Sequence, residues 1–204
     1  MALSKLRAES IDLTDDFAFT GTVTGAGGTP GLVHLSTQTL ASDASEVVFD
    51  SLIDTSTYTN YKIYVQGHTT ADSNVRAVFR DSSDADINDT SLYRGRAYPA
   101  GSIVNNAFTF FLQGANGFDG SDETGFVLDI NLNLINQGST NSIMPHLQGI
   151  SQYVQNNSNP LVQHFGFTMR PSIATTAIAG IRFYPESGNF EAGSKFVLYG
   201  LAES

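Results

Sequence analysis

Cysteine and tryptophan are both absent from the 204-residue chain, and basic residues are scarce. Without cysteine the protein has no disulfide, no thiolate metal ligand and no cysteine nucleophile. Ten Lys and Arg residues stand against twenty Asp and Glu residues, so the formal net charge is −10. This balance argues against a nucleic-acid backbone or an anionic membrane as the main partner. No stretch approaches the roughly 18 apolar residues of a membrane span, so we expect neither membrane insertion nor a secretion signal.

The residues that are abundant favour strands. The chain has 14 Phe, 8 Tyr and 19 Gly, together with many Thr, Ser and Asn residues. This composition is typical of strands joined by turns, and we expect very little helix. The clearest alternation lies in "GFVLDINLNLIN", where every second residue is apolar: Phe126, Leu128, Ile130, Leu132 and Leu134. A period of two predicts an antiparallel strand with one face in the core and one face in water.

Weaker alternation recurs along the rest of the chain, separated by segments rich in Gly, Asn, Asp and Ser. These runs cover residues 32–40, 45–52, 61–69, 74–82, 107–114, 142–154 and 161–170, and two more lie between 180 and 201. About ten such runs without intervening helical patterns are typical of a β-sandwich. The predicted fold class is therefore all-β, an antiparallel β-sandwich or jelly roll with a short N-terminal arm.

A domain boundary is visible near the N-terminus. Residues 21–31, "GTVTGAGGTPG", hold five glycines and one proline, a composition that breaks regular structure. The upstream "IDLTDDFAFTGTV" is strand-like but too short to hold a core of its own. We predict an N-terminal arm and Gly-rich hinge over residues 1–31, and a jelly-roll-like β-sandwich domain over residues 32–204. The alternative is that the arm forms the first edge strand of that domain.

The most acidic loop, residues 81–89, is a weak candidate for a cation site. Three of its residues have the opening spacing of a calcium loop: Asp84, Asp86 and Asn88. The match then fails, because Asp89 stands where such a loop has Gly and Gly95 stands where it has Glu. A solvated loop is the favoured interpretation, and cation binding is left open.

The candidates for catalysis are also weak. Four histidines lie in strand-like runs without metal-binding spacing: His34, His68, His146 and His164. No nucleophile elbow, P-loop or dinucleotide fingerprint is present. A glycosidase needs two carboxylates about 5 to 10 Å apart, and Asp129 and Glu46 are among the few acids in predicted strands. Since most acids lie in loops and Trp is absent, we expect no enzymatic activity and no cofactor.

The closing stretch "SGNFEAGSKFVLYGL" resembles the "S-G-N-(I/F)-x-x-G-x-x-F-x-L-Y-G-L" terminus of structural proteins of tailed bacteriophages, especially marine and cyanobacterial phages. The matching residues are Ser187, Gly188, Asn189, Phe190, Gly193, Phe196, Leu198, Tyr199, Gly200 and Leu201. The N-terminal "FAFTGTVTG" resembles the "F-x-F-T-G-T-V-x-G" leader of phage fibre and virion proteins. Its matching residues are Phe17, Phe19, Thr20, Gly21, Thr22, Val23 and Gly25.

The C-terminal motif has the chemistry of a structural element. Gly188 and Gly193 are expected to bracket a tight turn. Phe190, Phe196 and Leu198 are expected to face the core, and the final strand, which ends in Tyr-Gly-Leu, is expected to pair within the sheet.

The resemblance implies a non-enzymatic virion component, commonly a homotrimer, made in the host cytoplasm and displayed on the particle. The favoured function is a short fibre or spike appendage. In it, Phe17, Phe19 and Val23 attach the arm to a portal, a tail adaptor or a sister subunit. Host surface polysaccharide is a further expected partner. The alternative is a capsid decoration or cement protein, whose arm lies across the major capsid protein.

Overall fold

The described part of the chain consists of strands and their connections. The computed structural model describes residues 31–87, 125–134, 145–155, 159–169 and 177–202, and the strands between 93 and 111. The strands are β1 (Leu32–Thr39), β2 (Val47–Phe49), β3 (Asn60–Gly67), β4 (Val75–Asp81), β5 (Tyr93–Tyr98), β6 (Val104–Ala107), β7 (Phe110–Phe111), β8 (Phe126–Asn133), β9 (His146–Gln155), β10 (Asn159–Met169), β11 (Ile178–Pro185) and β12 (Lys195–Leu201). None of the described segments forms a helix that could cross a membrane.

Two sheets hold these strands, and all of their pairings are antiparallel. The large sheet has eight strands in the order β1-β12-β3-β8-β9-β10-β5-β6, and the small sheet has four in the order β2-β11-β4-β7. Strands that are distant in sequence therefore lie side by side. The last strand, β12, lies between the first strand and β3.

The core lies between the two sheets. Phe183 of the small sheet and Phe196 of the large sheet approach with ring centroids 5.8 Å apart. Phe49, on β2, packs edge-on against Phe183 with a centroid distance of 6.5 Å. All three side chains are fully buried. The burial of large apolar side chains from both sheets is the main stabilising contribution, and the predicted antiparallel β-sandwich is confirmed.

The register predicted for β8 is also confirmed. Ile130 is fully buried, whereas Asn131 beside it is exposed. Ile130 lies directly opposite Ile63 of β3 on one side and Gly149 of β9 on the other. The alternate residues of β8 therefore face the small sheet, and the polar residues between them face outward.

Sequence patterns failed at β5, β6 and β7. The run predicted at 107–114 is wrong as a single strand, because Val104–Ala107 belongs to the large sheet and Phe110–Phe111 to the small sheet. The β5 segment, "YRGRAY", was not predicted as a strand. It has two Arg residues around a Gly, so it lacks the apolar alternation by which strands are recognised.

Several residues singled out by their sequence pattern lie outside the described residues. The predicted arm and hinge fall there except for Gly31, and with them the attachment residues Phe17, Phe19 and Val23. Asn88 and Asp89 of the acidic loop fall there too. The predicted domain begins where β1 begins, at Leu32.

Candidate functional site

The C-terminal motif forms a turn that only glycine accommodates at two positions. Gly188 has a φ of 69° and Gly193 a φ of 88°, both in the left-handed region. At Gly188 a Cβ atom would also lie 2.7 Å from Oγ1 of Thr70. Any other residue at Gly188 would therefore be strained and would clash with a neighbouring loop, whereas Gly193 is required for its backbone angle alone.

The same turn holds two other loops of the domain in place. The backbone of Phe190 exchanges two hydrogen bonds with that of Ala44, at 2.8 and 2.9 Å. The Asn189 N–H donates to Oγ1 of Thr70 at 2.9 Å, and the Thr70 N–H donates back to the Asn189 carbonyl at 2.8 Å. Because both loops are hydrogen-bonded to this turn, the motif contributes to the fold well beyond its own strand.

The aromatic residues of the motif lie in the core. Phe190 is fully buried, with its ring centroid 5.0 Å from that of Phe196 and 6.3 Å from that of Phe126. Leu198, two residues further along β12, is fully buried as well. Phe190 belongs to none of the named strands, yet it packs between β8 and β12, so the turn closes one end of the sandwich.

Two residues near the end of the motif, Tyr199 and Gly200, also have packing roles. Tyr199 faces outward, and its ring meets the imidazole of His34 edge-on at a centroid distance of 5.7 Å. At Gly200 a Cβ atom would lie 2.7 Å from the ring of Tyr58. Apart from the exposed Leu201, the motif residues are thus engaged in turns and packing, the pattern of a sequence that specifies a fold.

The acidic loop forms salt bridges with two arginine side chains. Asp86 lies between Arg80, at 2.8 Å, and Arg182. Arg80 also pairs with Asp50 at 2.5 Å, and Arg182 pairs with Glu46 at 2.8 Å. Burial lowers the pKa of both arginines, but their hydrogen bonds to the carboxylates outweigh it and the net shift is upward. The guanidinium groups therefore remain charged and neutralise these carboxylates.

The carboxylate of Asp81 stabilises the turn of this loop. Oδ1 of Asp81 accepts hydrogen bonds from the N–H groups of Ser83 and Ala85, at 2.8 and 3.1 Å. Asp84 has a φ of 59°, a conformation that Asp tolerates better than most residues. No cluster of three or more His, Asp or Glu side chains suited to a metal occurs among the described residues. The geometry fits a salt-bridged loop.

Replacing Asp86 by Asn tests this interpretation. The neutral amide removes the negative charge that faces both guanidinium groups, so we expect the free energy of unfolding to fall by about 1 to 3 kcal/mol. Urea unfolding measures this loss. Asp84→Asn is the matched control, because its exposed side chain pairs with neither arginine, and it should change little. If millimolar Ca²⁺ raised the melting temperature of the native protein but not that of Asp86→Asn, the loop would be a cation site instead.

The two carboxylates considered for glycoside hydrolysis do not converge. Asp129 lies on the outward face of the large sheet and pairs with Nζ of Lys62 at 2.7 Å. Glu46 precedes β2 and pairs with Arg182 of the small sheet. Because the sandwich core separates the two faces, these groups cannot act on one glycosidic bond. Ser194 meets His68 only through the latter's backbone, so they do not form a nucleophile and base pair.

The outward face of the large sheet carries a row of polar side chains in register. Lys62 of β3 lies opposite Asn131 of β8, and Asn131 lies opposite Gln148 of β9. Asn131 and Gln148 are both exposed, and within the described part of the chain neither side-chain amide has a hydrogen-bond partner. Two adjacent amides therefore face solvent with their full hydrogen-bonding capacity.

Two depressions meet at this pair of amides, and together we call them the outer groove. One, of about 300 Å³, extends from Asn131 and Gln148 towards Asn60, His146 and Leu201. The other, of about 320 Å³, extends towards Ile150 and His164 on β9 and β10. The outer groove thus crosses the four neighbouring strands from β3 to β10 and reaches Leu201 of β12 and Leu32 of β1 at one end.

The one lysine that lines the described part of the outer groove is paired with a carboxylate. Asp129, beside it, pairs with Lys62 at 2.7 Å. The phenol of Tyr61 lies on the core side of the sheet, where its oxygen accepts a hydrogen bond from the Asp54 N–H and burial raises its pKa to about 12, so it adds no charge to the groove. Asn133 donates a hydrogen bond to Oδ1 of Asn60 at 2.8 Å, which fixes the amides at one end. The lining therefore combines side-chain amides with apolar side chains, and its lysine is paired.

Sequence reasoning did not identify the outer groove. It treated the alternate positions of β8 only as a solvated face, although Asp129, Asn131 and Asn133 stand there in succession. A second amide-bearing strand, "LQGISQ" of β9, was the available signal. Pairing between the two strands, which no local pattern indicates, brings their amides together.

Comparisons with known proteins add no relatives to this description. The chain matches no protein-family model and no curated protein sequence. Functional interpretation therefore depends on the geometry described above and on the two terminal motifs.

Proposed function

We propose that the protein is a non-enzymatic structural component of a tailed-phage virion, namely a short fibre or spike-type appendage. The observation that carries this proposal is that the C-terminal motif forms part of the core and of a tight turn. Phe190, Phe196 and Leu198 are fully buried, and Gly188 and Gly193 adopt left-handed backbone angles. A motif used in this way specifies a building block, and the resemblance is to building blocks of phage particles.

The strand order supports a jelly roll as the finer description of the sandwich. In a jelly roll the eight strands pair in the orders 1-8-3-6 and 2-7-4-5. Numbering β1, β2, β3, β4, β7, β8, β11 and β12 from one to eight yields both orders, as β1-β12-β3-β8 and β2-β11-β4-β7. On this interpretation β9, β10, β5 and β6 extend the large sheet beyond its ordinary edge. Viral coat and lectin domains commonly use this architecture.

The placement of the acidic groups supports a non-enzymatic role. Asp129 and Glu46 lie on different sheets, and each is paired with a basic side chain. The carboxylates of Asp50 and Asp86 are likewise paired with Arg80. An active site is marked by a titratable group that lies in a cleft, has a perturbed pKa and contacts a second catalytic group. Among the described residues, none of these acidic groups shows all three features.

Attachment to the particle is proposed to run through the N-terminal arm. The sequence pattern predicts that Phe17 and Phe19 share one side of a short strand, and the Gly-rich hinge follows. Such a segment gains stability by adding to another chain's sheet edge or by lying in a groove of a partner. The partner is a sister subunit of a homotrimer, a portal or a tail adaptor.

Replacing Phe17 and Phe19 by Ala in the full chain tests this attachment. Each buried ring contributes on the order of 1.5 to 3 kcal/mol, so we expect incorporation into particles to fall at least tenfold while the melting temperature is unchanged. Thr20→Ala with Thr22→Ala is the matched control, since the alternation of a strand predicts that these residues face the opposite side, and it should incorporate normally. Normal incorporation of the Phe double variant would place attachment elsewhere, whereas loss of its fold would make the arm an integral strand.

A capsid decoration or cement protein is the second candidate. The breadth of the large sheet favours it, because eight strands present a wide face that can lie against neighbouring subunits of a shell. Immunogold labelling of intact particles, with antibodies raised against the recombinant protein, separates the two functions. Label at the tail or neck supports the appendage, label spread over the head supports decoration, and unlabelled particles contradict both.

A further inference from the structure

We infer, on the basis of the proposed appendage role, that the outer groove is a binding site for a neutral polysaccharide. The side-chain amides of Asn131 and Gln148 lie at its centre, where its two depressions meet. The expected ligand is a short run of uncharged sugar residues lying across strands β3 to β10.

Hydrogen-bonding capacity is the first reason. Each sugar hydroxyl both donates and accepts a hydrogen bond, and a side-chain amide carries an acceptor oxygen beside two donor hydrogens. Asn131 and Gln148 lie opposite each other on paired strands, so the two amides form one adjacent set. Neither has a hydrogen-bond partner in the part of the chain that the structure describes. Their bonds are therefore available to a ligand at no loss of internal contacts.

Charge is the second reason. Lys62, a charged residue that lines the outer groove, is neutralised by Asp129. The protein as a whole carries a formal net charge of −10, which repels an anionic polysaccharide. A cationic one would gain most from an unpaired carboxylate in the lining, and the carboxylate of Asp129 is already paired with Lys62. An uncharged chain is the ligand that this lining suits.

Shape and flanking surface are the third reason. Neighbouring strands are about 4.8 Å apart, so four strands provide a track of about 14 Å. Leu32 and Leu201, both exposed, lie at one end, and Ile150 and His164 lie at the other. Sugar rings present C–H faces between their hydroxyls and can pack on such side chains. A protein partner would favour aromatic anchors at the centre of its interface, and here the centre is two amides.

The test measures binding of the full-length protein to an array of immobilised neutral glucans, mannans and galactans, with alginate and chitosan as charged counterparts. We expect the native protein to bind at least one neutral polysaccharide and neither charged one. Asn131→Ala and Gln148→Ala should each weaken that binding about tenfold or more, and the double variant should abolish it. Gln66→Ala is the matched control, because Gln66 is an exposed glutamine on the same face that lines neither depression, and it should bind normally.

Three results would overturn the site: no neutral polysaccharide bound by the native protein, binding only to a charged one, or undiminished binding by the double variant. Melting temperatures check that the variants remain folded, and loss of binding counts only for a folded variant. Since both residues are exposed, a conservative pair, Asn131→Ser and Gln148→Ser, provides a second set if the Ala variants unfold.

Incorporation of the double variant into particles separates this site from the virion role. Normal incorporation with lost glycan binding supports both. Normal incorporation with unchanged glycan binding contradicts the site alone. Lost incorporation by a folded double variant would mean that the outer groove faces the particle, which contradicts the glycan site and leaves the structural role standing.

Discussion

Ile130→Asp is expected to lower the free energy of unfolding by more than about 4 kcal/mol, a large share of the roughly 5 to 15 kcal/mol that stabilises a typical domain. Ile130 is fully buried on the inward face of the large sheet, opposite Ile63 of β3. An aspartate there would either hold an unpaired charge in an apolar core or be protonated, and each is costly. Circular dichroism during urea unfolding measures the loss.

The neighbouring residue provides the control for that substitution. Asn131→Asp introduces the same carboxylate one position along β8, on the exposed face. It should change the free energy of unfolding by less than about 0.5 kcal/mol, as surface substitutions usually do. Equal melting of the two variants would show that β8 is out of the register described here.

Phe190→Ala is expected to have the second largest effect, a loss of about 3 to 5 kcal/mol. The ring of Phe190 packs against Phe126 of β8 and Phe196 of β12, so its removal leaves a cavity where the turn closes the sandwich. The backbone hydrogen bonds to Ala44 should weaken with it, because the side chain anchors the turn that makes them.

Phe190→Leu is the matched control for the cavity. It retains most of the buried volume and should cost only about 1 to 2 kcal/mol. Thermal and urea unfolding of both variants give the comparison. A cost below about 1 kcal/mol for Phe190→Ala would mean that the C-terminal motif is peripheral to stability, and the structural role proposed for it would lose its main support.

The sequence predicted those elements whose pattern is local. β8 was recognised because apolar residues alternate without interruption from Phe126 to Leu134, so one face of the strand could be assigned directly. β5 was missed because Arg94, Gly95 and Arg96 interrupt any alternation. In that strand pairing with β10 overrides a weak local preference.

Sheet order and the candidate site depend on contacts between distant residues. Nothing local in β12 indicates that it lies between β1 and β3, since those pairings join residues more than a hundred positions apart. The acidic loop was considered as a partial calcium loop because its sequence shows the acidic residues but not the arginines that pair with them. Its partner Arg182 is 96 residues from Asp86 and joins it only in the folded sheet. The meeting of Asn131 with Gln148 likewise required the register of β8 and β9.

Quantitative mass spectrometry of gradient-purified phage particles tests the central claim most directly. A structural appendage arranged in a closed symmetric oligomer should be present at a few tens of copies per particle, in fixed proportion to the major capsid protein. Near parity with the capsid protein would select the decoration function instead. Absence of the protein from purified particles would contradict the structural role itself.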